Sequence, residues 1–78
     1  MELETFIKNF EEAVEDVEVG SLSGHTAYRS IEQWDSLAVL TVIAMVDAEY
    51  GLRLKAKELK QIETLCELHA LLKSKQSI

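Results

Sequence analysis

Apolar residues fall at Leu3, Phe6, Ile7, Phe10, Val14 and Val17, in steps of three and four, with Glu and Lys on the intervening positions. That spacing lines one side of a helix and predicts an amphipathic first helix over residues 2–15. From Val19 to Trp34 the period disappears and "GSLSGHT" brings in glycine and serine, so a long loop is expected over 16–34. A loop of that length in a small domain is either functional or pinned by its own side chains, and Leu22, Tyr28, Ile31 and Trp34 are the expected anchors. A second helix is expected over 36–50, with Asp35 as N-cap and Gly51 as C-terminal stop. "KAKELKQ" leaves room for a short helix over 56–61. Thr64, with Glu67 three residues on, then forms a capping box that opens a last helix over 64–73, with Leu65, Leu68, Leu72 and His69 facing inward. No proline interrupts these segments, and the sum is an all-α fold: a small four-helix bundle of three main helices and one short helix, in a single domain over 1–78.

The second helix carries more apolar surface than such a bundle can bury. At about 100° per residue, Val39, Val42, Ile43, Val46 and Tyr50 share one face, which is expected to meet the core. The opposite face should be polar, yet it holds Leu37, Leu40, Thr41, Ala44, Met45 and Ala48, and the only charges inside the helix are Asp47 and Glu49. Contiguous exposed apolar surface marks a binding site. The competing expectation is that the long loop folds back over that face.

Charge narrows the partners. The net charge is −6, and residues 1–18 account for all of it, with seven acids against Lys8. A nucleic-acid backbone, which is bound through clustered Lys and Arg, is therefore not an expected partner. The remaining residues are neutral overall, but Arg53, Lys55, Lys57 and Lys60 stand together against Glu58 alone. No apolar run approaches the ~20 residues of a membrane span. Cys66 is the single cysteine, so no intramolecular disulfide forms. These features lead to the expectation of a cytoplasmic monomer in which Cys66 is a small buried hydrophobe.

The chemistry of a catalyst is sparse. A nucleophile needs a base within reach, and only His25 and His69 are available, one in the glycine–serine loop and one on the inner face of the last helix. One cysteine and two scattered histidines do not make a zinc site, and "GSLSG" lacks the lysine of a phosphate loop. The expectation is a protein that is not an enzyme and has no metal. Ser36 stands apart: in the first turn of a helix its hydroxyl is exposed, beside unpaired N–H groups and a partial positive charge that suit a phosphodiester. The plainer reading is that Asp35 and Ser36 are only the cap and first-turn residue of a helix.

The context of that serine changes the picture. "IEQWDSLAVLTVIAMVDAEYGLRL" resembles the acyl carrier protein family, in which the serine of Asp-Ser-Leu opens the second helix and bears 4′-phosphopantetheine. The resemblance covers nearly the whole chain, from the acidic first helix through "DSL" and "DAEY" to "IETL". It implies a carrier that holds acyl groups as thioesters on an arm drawn from coenzyme A and attached to Ser36. Asp35 and Leu37 would help a phosphopantetheinyl transferase recognise the site. Family members of general fatty acid synthesis are acidic at the positions of Ala38, Thr41 and Ala48 and in the turn where this chain has Arg53, Lys55, Lys57 and Lys60. This chain is similar instead to the "WDSL" type of specialised carriers. The partner surface expected by that likeness is Trp34, Ala38, Thr41, Ala44, Met45 and Ala48, meeting a dedicated acyl ligase or adenylating enzyme and acyl-using enzymes. An aminoacyl or peptidyl carrier, or a helical interaction module with no arm, are the alternatives.

Overall fold

Phe6 and Phe10, two turns of the expected first stripe, are both fully buried, and the rest of the core is laid against them. The computed structural model describes residues 1–77. Its helices are α1 (Leu3–Ala13), α2 (Ser36–Tyr50), α3 (Ala56–Gln61) and α4 (Leu65–Gln76), with a 3-10 turn at Tyr28–Ser30. Among the described residues there is no strand, only an isolated antiparallel bridge between Ala27 and Thr64. The architecture is a small all-helical bundle.

The bounds of α2 and α3 fall where the sequence places them. Asp35 caps α2 by accepting the Ala38 N–H at 2.8 Å. Gly51 ends it in the left-handed region at φ 64°, where a side chain would be strained. The other two helices differ at their ends. α1 stops at Ala13, not at residue 15, because Val14 leaves the helix in an extended conformation and is drawn into the core. α4 begins after Thr64, which is its cap and not its first residue. Thr64 Oγ1 accepts the Glu67 N–H at 3.2 Å, while the Glu67 carboxylate accepts the Thr64 N–H at 3.0 Å. At the other end α4 runs on to Gln76, past the expected stop at 73. Lys75 meets the Glu58 carboxylate of α3 at 3.0 Å there, and Lys73 and Lys75 face the negative end of the helix dipole.

The long loop is fastened at both ends by groups with buried partners. Glu11, although charged, is only 2% exposed. Its carboxylate accepts the N–H groups of Gly20 at 3.0 Å and Leu22 at 2.8 Å, so it closes the turn after α1. Farther along, Tyr28 is fully buried, and its hydroxyl lies 2.6 Å from the Leu59 carbonyl and 3.0 Å from that of Ile62. Arg29 Nε donates to the same Ile62 carbonyl at 3.0 Å. Burial pushes the Tyr28 phenol up to about 12, against the opposing pull of Arg29. Tyr28, Leu22 and Trp34 are thus anchors as expected, and Ile31 is half-buried.

Leu65, Leu68 and Leu72 are fully buried, and half-buried His69 sets its ring 5.9 Å from that of Phe6. Cys66 departs from expectation. It lies exposed in the first turn of α4, because the inward positions there are taken by Leu65 and Leu68 on either side of it. No helix among the described residues is long and apolar enough to cross a membrane.

Candidate functional site

Three aromatic rings fix the chain just ahead of Ser36. Trp34 stacks on Phe10 of α1 with ring centroids 5.9 Å apart and planes 7° from parallel. Tyr28 meets Trp34 edge-on at 5.2 Å and Phe10 edge-on at 5.7 Å. Aromatic pairs in such arrangements contribute ~0.5–1.5 kcal/mol beyond their burial. The consequence is positional: with Trp34 held between core and loop, Asp35 and Ser36 emerge from a fixed point at the start of α2.

At that point Ser36 is the first helical residue and is exposed. Of the N–H groups of the first turn, that of Ala38 is taken by the Asp35 side chain, and that of Val39 by the Asp35 carbonyl at 3.1 Å. Those of Ser36 and Leu37 are engaged by no partner among the described residues. They are left, with the positive end of the helix dipole, beside the Ser36 hydroxyl. Neither histidine is hydrogen-bonded to that hydroxyl. The His69 Nε2 lies 3.0 Å from the Met1 carbonyl, and exposed His25 is held in the loop, its N–H donating to Ser23 Oγ.

The expected partner surface is only partly a surface. Ala38 is 3% exposed because it faces α1 and the loop, so it belongs to the core and not to the docking face. Trp34 is half-buried against Phe10 and Tyr28, so its ring serves to place the site. Thr41 and Met45 are half-buried, while Ala44 and Ala48 are exposed. The most exposed large apolar side chains of α2 are Leu37 at 53% and Leu40 at 64%. The loop does not fold back over them. Sequence periodicity places both on the outer face, although neither is in the expected partner surface. The inner face also differs from the expected set: Ala38, Val42 and Val46 are buried, while Val39, Ile43 and Tyr50 are half-buried.

Charge is distributed unevenly on the two sides of this ridge. On one side, the end of α1 and the loop enclose an open depression of about 640 Å³ against Leu37, Ala38 and Thr41. Its rim carries the carboxylates of Glu12, Glu15, Asp16, Glu32 and Asp35 and no Lys or Arg. The acidity that α2 lacks in sequence is therefore supplied from α1 and the loop. The sequence shows the acids of residues 12–16 but not their meeting with Glu32 and Asp35, because the two stretches are brought together only by the fold. Among the described residues no three His, Cys, Asp or Glu groups converge to hold a metal ion. On the other side, Leu40 and Ala44 line a shallower depression with Leu52 and Arg53, and Lys55, Lys57 and Lys60 are exposed nearby along the chain.

No family model matches the chain, and no curated protein or solved structure matches it either.

Proposed function

We propose that the protein is a carrier of the acyl carrier type, holding acyl groups as thioesters on a 4′-phosphopantetheine arm attached to Ser36 and delivering them to partner enzymes. The observation that carries this reading is the setting of Ser36: an exposed hydroxyl at the first position of a 15-residue helix, with two free N–H groups and the helix dipole beside it. The resemblance of "WDSL" and its surroundings to that family supplies the identity of the arm.

The residues fit such a group. Asp35 keeps its carboxylate on the Ala38 N–H, which holds the first turn in shape. Trp34, stacked on Phe10, fixes the height at which Ser36 stands above the bundle. Leu37 and Leu40, exposed on the turns that follow, offer apolar contact to an approaching transferase or acyl-using enzyme. When bound, the arm supplies a terminal thiol on which a carboxylic acid is held as a thioester. The chain provides no catalytic pair for that chemistry at Ser36, so activation and transfer fall to partners such as a dedicated ligase or adenylating enzyme. Since α2 has no charge before Asp47, docking on its ridge depends on apolar contact.

Intact-mass measurement tests this directly. Incubation of the apo-protein with coenzyme A and a broad-specificity phosphopantetheinyl transferase adds one arm to the wild type and none to Ser36→Ala. An unchanged wild-type mass, or the same gain in the variant, would refute the carrier reading. Ketoacyl synthases of general fatty acid synthesis are expected to use the holo-protein poorly, and turnover equal to that of their own carrier would refute its assignment to a specialised pathway.

A further inference from the structure

The depression beside Leu37 does not end there. Farther along, Asn9, Glu12, Ala13, Thr41, Ala44 and Ala48 line a second one of about 360 Å³ with Glu49 at its edge. The two share Glu12, Ala13 and Thr41, so they run together as one trough between α1 and α2. Alanines, Thr41 and half-buried Met45 line it, and every charged group along it is a carboxylate. From Leu37 to Ala48 the helix rises ~16 Å, at 1.5 Å per residue. An arm of 4′-phosphopantetheine has about thirteen chain atoms between the serine oxygen and the sulfur, the backbone length of between four and five extended residues, and so reaches ~16 Å as well.

The geometry points to this trough as the berth in which an arm on Ser36 rests, with its load lying by Ala48 and Glu49, and to a preference there for loads bearing an ammonium group over loads bearing a carboxylate. The inference rests on the reading of Ser36 as the attachment point. Three features carry it together: the trough begins at the residue that follows Ser36, its length matches the arm, and its rim has one sign of charge. The arm itself suits that rim. Its one anionic group is the phosphodiester at its root, beside the helix N-terminus, and the remainder is neutral, with two amide N–H groups and a hydroxyl to donate to carboxylates and a geminal dimethyl group to set against Leu37 and Thr41. Beyond the sulfur, an aminoacyl load places its ammonium near Glu12 and Glu49, whereas a dicarboxylic load places a carboxylate there. The core has no comparable place to offer, since Phe6, Phe10, Tyr28 and the leucines of α4 already fill it.

Isotope-filtered NOE spectra of ¹³C-labelled holo-protein carrying an unlabelled arm test the berth, after intact mass has shown the arm to be attached. Arm protons are expected to give cross-peaks to the methyl groups of Ala13, Thr41, Ala44 and Ala48. With glycyl and succinyl thioesters as loads, the Ala48 cross-peaks persist for glycyl and weaken by about threefold for succinyl, the scale of exposed charge interactions. That difference shrinks at high salt and in Glu12→Gln/Glu49→Gln. Cross-peaks to Ile43, Leu52 and Leu54 in place of the α1 side, or none beyond Leu37, would overturn the berth while leaving the attachment intact. Equal behaviour of the two loads would overturn the charge preference. Failure of the arm to attach at all would overturn both this inference and the function it rests on.

Discussion

The loop between α1 and α2 and the helix that follows it invert what their compositions suggest. Residues 16–34 are polar, aperiodic and rich in glycine and serine, yet they are tied down at buried Glu11 and Tyr28 and by half-buried Trp34. α2 is the most apolar segment of the chain, yet Leu37, Leu40, Ala44 and Ala48 stand in solvent. Folding accounts for the order of the loop, since each anchor satisfies a buried partner or fills the core. It does not account for the exposed apolar residues of α2, which stabilise nothing where they are. In the proposed function they are the surface that a partner meets.

The contrast predicts that stability responds to the loop and binding responds to the ridge. The largest loss of stability is expected from Trp34→Ala, about 3 kcal/mol in urea or guanidinium unfolding, the low end for large aromatics because the ring is partly exposed. Glu11→Ala follows, at about 2 kcal/mol, because it leaves the N–H groups of Gly20 and Leu22 without their charged acceptor. Tyr28→Phe costs about 1 kcal/mol by removing the donor shared by Leu59 and Ile62. It also changes the alkaline limb. The folded protein holds the Tyr28 proton more tightly than the unfolded chain does, so wild-type stability is full below pH 10 and falls as pH rises towards 12. Equilibrium unfolding across that window should decline less steeply in Tyr28→Phe. The smallest effect on stability is expected on the ridge: Leu40→Ser changes it by less than ~0.5 kcal/mol, while slowing modification by a transferase or transfer by an acyl-using enzyme. A ridge variant that unfolds the protein, or a loop variant that does not, would break the contrast.

Much of this arrangement is legible in the sequence, and what is not has a common cause. The limits of α2 and α3, the Thr64–Glu67 capping box and the aromatic anchors follow from caps, turns and periodicity, which are local. The place of Ser36 at the first position of α2 is read the same way. The early end of α1 is not, because Val14 leaves the helix to fill a core assembled by other segments. Glu11 reads as one of several solvated acids until the loop closes on it. Ala38 shows the converse, since on an isolated helix it belongs to the outer face, and only the approach of α1 and the loop covers it. The carboxylate rim of the trough draws on α1, the loop and α2, so no window of sequence contains it.

Whether the order ahead of Ser36 serves an attachment is decided most directly on protein isolated from its native cells. Fragment-ion mass spectrometry of that material is predicted to find one phosphopantetheine on Ser36 and on no other residue. Protein found unmodified throughout, or modified elsewhere with Ser36 bare, would contradict the account.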